Sequence, residues 1–159
     1  MTNILFCGIG GQGVLKASEI CCTAALFEGC HVKKSEVHGM AQRGGSVESH
    51  VRLGQAQESI YSPLIIPGRA DYLVCFHRDE EKRLKGYLKP GGVDFLPYLD
   101  DFEERFADRR FLNTFCLGIL STFLSLKEES WIRALETVFT RARETNREVF
   151  ETGRKLTSR

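Results

Sequence analysis

The stretch NILFCGIGGQGVLKASEI, Asn3 to Ile20, decides how this chain is read. Its first five residues are a short, mostly apolar run, which predicts a buried strand. Glycines then crowd the chain into a turn, and VLKASEICCTAALFEG follows with Leu15, Ile20, Ala24 and Phe27 on one helical face. Gly29 stops that helix. A strand, a glycine turn and a helix in this order open an α/β fold, and the expectation is an open Rossmann-like sheet with flanking helices.

Working outward, HVKKSEV (31–37) reads as a second strand and SVESHVRLG (46–54) as a third. In the third, Val47, Ser49, Val51 and Leu53 alternate with Glu48, His50 and Arg52, the period of a strand with one wet face. IYSPLI (60–65) is taken as a return strand, ADYLVCFH (70–77) as a buried strand, and RDEEKRLKGYL (78–88) as a polar-faced helix ending before KPGG. The acidic run after Val93, interrupted by Pro97, predicts an irregular connection with at most one helical turn near Asp100–Phe106. NTFCLGILSTFL (113–124) predicts an apolar helix, and residues 127–155 one long helix with Trp131, Leu135, Val138, Ala142 and Val149 along a stripe.

A chain of 159 residues and 18.0 kDa fits one domain, 1–159, large enough to bury a core without staples. Its net charge of +1 gives no reason to expect a nucleic-acid or membrane partner. The start MTNILFCGIGG lacks a basic leader, and no apolar run approaches the roughly 20 residues of a spanning helix, so a cytoplasmic protein is expected. Cys7, Cys21, Cys22, Cys30, Cys75 and Cys116 form no C-x-x-C pair and read as reduced, mostly buried thiols rather than metal ligands.

Two segments carry candidate chemistry. GIGGQG, with Gly8, Gly10, Gly11, Gln12 and Gly13, fits the turn that brings helix N-terminal N–H groups near a phosphate. Dinucleotide binding, a looser phosphate contact and pure packing all stay open there; Glu36, preceded by Lys33 and Lys34, is the nearest acid for a ribose. HGMAQRGGSV (38–47) sets Gln42 and Arg43 against Gly44 and Gly45, a loop in which freed backbone N–H groups and a guanidinium could meet an anion, although most Gly-Gly pairs are only turns. His38, His50 and His77 read as surface or edge residues. No G-x-S-x-G, H-E-x-x-H or P-loop lysine is present, so no catalytic residue is assigned.

In order along the chain, NILFCGIGGQGVLKASEI, VKKSEVHGMAQRGGSVESHVRLG, IYSPLI, LKPGG, NTFCLGIL and NREVFETGR resemble the gamma subunit of 2-oxoacid:ferredoxin oxidoreductases, and within that family most closely the beta subunit of indolepyruvate ferredoxin oxidoreductase. The chain departs from the family pattern between Gly92 and Asn113, which is shortened and strongly charged. The resemblance implies a subunit of a complex that oxidatively decarboxylates a 2-oxoacid, such as indolepyruvate or another aryl pyruvate, to an acyl-CoA. It implies thiamine diphosphate, Mg and iron–sulfur clusters on partner subunits, none of them bound by this chain alone, with coenzyme A as co-substrate and ferredoxin reached through the complex. Within it, Gly8, Gly10, Gly11, Gln12, Gly13, Gln42, Arg43, Gly44 and Gly45 would edge the partner's active site and the coenzyme A access. The isolated chain would be inactive, with a homodimer as one state open to it. A stand-alone Rossmann-type nucleotide-binding enzyme is the alternative.

Overall fold

The computed structural model describes residues 1–40 and 44–158. Five strands, β1 (Thr2–Ile9), β2 (His31–His38), β3 (Ser46–Gly54), β4 (Ala70–Cys75) and β5 (Leu88–Asp94), form one sheet in the order β2-β3-β1-β4-β5. Among the described residues six helices flank it: α1 (Val14–Phe27), α2 (Arg78–Leu84), α3 (Leu96–Arg105), α4 (Leu112–Phe123), α5 (Glu128–Val138) and α6 (Arg143–Thr157). No helix among the described residues is long and apolar enough to cross a membrane.

The open α/β sheet is as expected, but its pairing is mixed. β1 pairs parallel with β4 and antiparallel with β3, while β2 pairs only with β3 at the edge. The α1 crossover therefore skips one position, and the short return after β2 drops β3 into it. β3 suits this interior place because residues 48–51 are buried on both faces, whereas no residue of β2 is buried.

The two faces are filled differently. Ile4, Phe6, Val51, Leu53 and Val74 point to one side and meet α1, α4 and α5 in a large apolar core that includes Phe115, Trp131 and Phe150. On the other side Leu5, Cys7, Leu73 and Cys75 meet Ile65, Leu84 and Leu99 in a smaller cluster. Glu48 and His50 also lie on this second face. Expected to be wet, they are buried under α2 and residues 60–66, and the strand alternation marks two kinds of interior rather than inside and outside.

Other expectations are corrected for local reasons. Residues 60–65 form no strand: Pro63 removes a backbone donor, and the segment lies as an irregular strap, with Ile60 and Ile65 buried. The helix from Arg78 ends at Leu84 and passes through a 3-10 turn into β5, which contains the KPGG sequence; an edge strand with a register shift tolerates Pro90. The acidic connection is the ten-residue helix α3, started by Pro97 in its first turn and by the Asp94 carboxylate, which accepts a 2.9 Å bond from the Leu96 N–H. Leu99 and Phe102 face inward while the acids face out, so the charged segment keeps both the last strand and a docked helix. The expected 127–155 helix is broken at Ala142, whose φ is +51°. α5 then packs on α1, and α6 crosses α4 where Gly118 and Gly153 bring the backbones together.

Candidate functional site at the glycine turn

β1 delivers the chain into the turn, and hydrogen bonds hold that turn from three sides. The Gln12 side chain accepts from the Ile9 N–H at 2.9 Å and donates to the Phe76 carbonyl at 2.8 Å, tying the ends of β1 and β4 together. The Gly10 N–H donates to the Gly45 carbonyl at 2.9 Å, joining the GIGGQG turn to the end of the second loop. The Asn113 side chain donates to the Gly13 carbonyl at 3.3 Å. Gly13 caps α1 in the left-handed region, φ +76°, and a Cβ there would collide with the Asn113 amide. Both constraints require glycine.

Gly13 provides no side-chain cap, and among the described residues the N–H groups of Val14, Leu15 and Lys16 have no acceptor. They point from the N-terminus of a helix 14 residues long, where the backbone dipoles favour an anion. In front of them is an open cleft of about 560 Å³. Its charged lining is Lys16 and Arg110, with no acidic side chain among the described residues; His38 adds an imidazole, and Val14, Leu15, Val47 and Phe139 supply apolar wall. Lys16 lies over the Phe139 ring with its ammonium 5.4 Å from the centroid. Arg110 is forked onto Asp108, with its shortest bond 2.7 Å, and this pairing holds the Asp108 carboxyl below the usual range. Such a cleft can hold an anionic, partly apolar ligand by its phosphate.

The expected site residues therefore have different placements. Gly10, Gly11, Gln12 and Gly13 line the cleft, although the Gln12 amide is turned into the structure as a brace. Gly8 lies at the end of β1, where an added Cβ would press on the Gln12 side chain, Val14 and Phe76. Gly45 is joined to the turn through Gly10, and Gly44 has φ +63° beside it. Gln42 and Arg43 lie outside the described residues. Glu36 does not line the cleft: β3 separates its strand from β1, and its carboxyl, held below the usual range first by the 2.9 Å contact with Lys34, faces Lys34 and His38. A ribose-binding acid beside the turn is thus missing at the position a Rossmann pattern assigns it. Lys16 was within reach of sequence reading, three residues beyond the motif; Arg110, Asn113 and Phe139 arrive by tertiary packing and carry no local signal.

A second polar cluster lies behind the site. The Arg83 guanidinium bridges Glu48 and Glu80, each at 2.7 Å, and Ser46 donates to Glu80 at 2.7 Å. His50 Nδ1 accepts from the Ile65 N–H at 3.1 Å, so the ring proton is on Nε2 and is donated to Glu48 at 3.1 Å. The His50 bond, followed by Arg83, holds the Glu48 carboxyl below its ordinary range. His77, read as a surface residue, caps α2 by accepting the Asp79 N–H. The six cysteines are free. Burial pushes their thiols up, Cys22 and Cys75 to about 12, and no group of three or more His, Cys, Asp or Glu among the described residues is placed to hold a metal ion.

Comparison with known proteins adds what geometry alone does not. The model of the family described as pyruvate ferredoxin/flavodoxin oxidoreductase matches residues 3–101. An indolepyruvate oxidoreductase subunit IorB of Thermococcus kodakarensis is 44% identical over 93 residues, which cover 58% of this chain and 45% of that protein. The chain thus matches about half the length of this curated relative. Among solved structures, the gamma subunit of a keto/oxoacid ferredoxin oxidoreductase from Geobacter sulfurreducens superposes with a TM-score of 0.78 at 22% identity, covering 98% of this chain and 97% of that one. A 2-oxoglutarate:ferredoxin oxidoreductase from Magnetococcus marinus, with 2-oxoglutarate, coenzyme A and succinyl-CoA bound, gives a TM-score of 0.78 at 19% identity over 98% of this chain and 30% of that one. At these identities the two structures establish the shared fold.

Proposed function

The chain belongs to the pyruvate ferredoxin/flavodoxin oxidoreductase family, and from that premise we propose that it is the gamma-type subunit of a 2-oxoacid:ferredoxin oxidoreductase. The observation that carries this reading is the open N-terminus of α1 beside a cleft lined by Lys16 and Arg110, in which the described residues present no nucleophile, acid–base pair or cluster ligands. Thiamine diphosphate, Mg and iron–sulfur clusters are assigned to partner chains, in keeping with five of the six thiols being packed into the core and Cys30 being half-buried. The 44% identity to an indolepyruvate oxidoreductase subunit supports an aryl pyruvate as the 2-oxoacid.

This chain's own task is positional. The N–H groups of Val14, Leu15 and Lys16 hold a phosphate of coenzyme A, Lys16 and Arg110 add charge, and Phe139 with Val47 lines the path for the less polar part. Gly44 and Gly45 belong to the same edge, which faces the partner's reacting centre, with Gly45 tied to the turn through Gly10. The pure chain is expected to be colourless and to show no 2-oxoacid-dependent viologen reduction, and to raise that activity when added to its thiamine-bearing partner. Stoichiometric iron or turnover in the pure chain would overturn the reading.

A further inference from the structure

At the opposite end of β1 from the glycine turn, the strap between β3 and β4 forms one wall of an open groove of about 600 Å³ whose other lining includes Asn3, Arg52 and Arg69. Within six residues the strap exposes three large side chains, Tyr61 at 92%, Leu64 at 47% and Ile66 at 63%. It is nevertheless fixed. Ile60 and Ile65 are buried, the Ile65 N–H is bound to His50, and Arg52 donates to the Ser62 carbonyl at 2.8 Å. Pro63 and Pro67 narrow the conformations of the segment further, so little entropy remains to be lost on binding.

The groove is also short of negative charge. The Arg52 guanidinium donates to the Asn3 side-chain oxygen, the Ser62 carbonyl and the Met1 sulfur, all neutral. Among the described residues neither Arg52 nor Arg69 has a carboxylate within ion-pair distance, whereas Arg78, Arg83, Arg109 and Arg154 each do. Preordered tyrosine and aliphatic side chains around uncompensated guanidiniums have the composition of an interface centre.

We propose that this groove is the docking surface for the catalytic partner chain, which enters it with a carboxylate-bearing apolar segment; the inference rests on the subunit reading above. A second copy of this chain fits poorly, because a twofold contact through the groove would set its arginines against the same arginines. Docking here leaves the cleft at the far end of β1, roughly 25 Å away by strand length, to face the reacting centre.

The test is a binding titration against the purified catalytic partner with the wild-type chain, Arg69→Glu, and Tyr61→Ala combined with Ile66→Ala. These side chains are exposed, and thermal melts check that each variant folds as the wild type does. Each variant is expected to weaken assembly about tenfold to a hundredfold, with kcat unchanged at saturating partner. Raising salt should weaken wild-type binding more than that of Arg69→Glu. Unchanged affinity in both variants would overturn the inference alone. Self-association of the wild-type chain that both variants abolish, with partner binding intact, would make a second copy the occupant and overturn it too. Failure of the wild-type chain to bind the partner at all would overturn the subunit reading, and this inference with it.

Discussion

The two faces of the sheet bury their residues by opposite means. Behind the α1 face lies a core that is mainly hydrocarbon with uncharged polar groups such as Thr114 and Asn146, layered from β1 and β4 through α1 and α4 to α6, with the last crossing drawn close by Gly118 and Gly153. Behind the α2 face a smaller apolar cluster shares the interior with Glu48, His50 and Glu80, which the half-exposed Arg83 covers from outside. The first face tolerates no added atom, and the second no unpaired charge. Alternation along one strand does not distinguish these cases, because it reports only that neighbouring side chains meet different surroundings.

The comparison breaks most sharply at the helix crossing. A Cβ on Gly118 would collide with the Phe150 carbonyl oxygen, in rigid helix backbone, so Gly118→Val should cost about 3 kcal/mol through overpacking, read as a large fall in Tm. A melting temperature within a degree or so of wild type would mean that α4 and α6 do not approach as described. On the other face the expected effect is smaller. Arg83→Met leaves Glu48 and Glu80 without their cation and should cost about 2 kcal/mol at neutral pH, below the range for a fully buried pair because the Arg83 side chain is 42% exposed.

The sign of the pH dependence sharpens the contrast. The folded-state pKa of Glu48 is depressed below its ordinary 4.5, so the stabilisation from its ionised form is present above that value and is lost as pH falls through the folded pKa. The stability gap between wild type and Arg83→Met should therefore be widest near neutrality and close in acid. The gap for Gly118→Val should not follow this titration. Denaturant melts from pH 7 down to about 3 measure both, and a pH-independent Arg83 gap would assign that residue to packing rather than charge.

What could be read from the amino acids follows the same physical division. The strand, turn and helix from Thr2 to Phe27 were legible because the glycines, the apolar run and the helical stripe are all local. The place of β3 between β1 and β2 was not, since strand neighbours are chosen by nonlocal burial. Glu48 and His50 read as wet because nothing in their own strand announces that α2 and the strap will cover them. Helix α3 was obscured by its acids, although Leu99 and Phe102 already had helical spacing. At the site, the glycine turn was visible, but the bonds that the Gln12 amide makes to two strand ends were not, because the Phe76 carbonyl arrives from β4. The basic wall contributed by Arg110 and the packing of Phe139 depend on the whole fold.

The account turns on the open first turn of α1 being the part of this chain that meets the co-substrate. Amide hydrogen exchange on the assembled, active complex, followed at Val14, Leu15 and Lys16 with and without coenzyme A, tests that directly. Coenzyme A is predicted to slow exchange at these three amides while leaving those of α5 unchanged. Equal exchange at all three with and without saturating coenzyme A, in a complex that turns over, would contradict it.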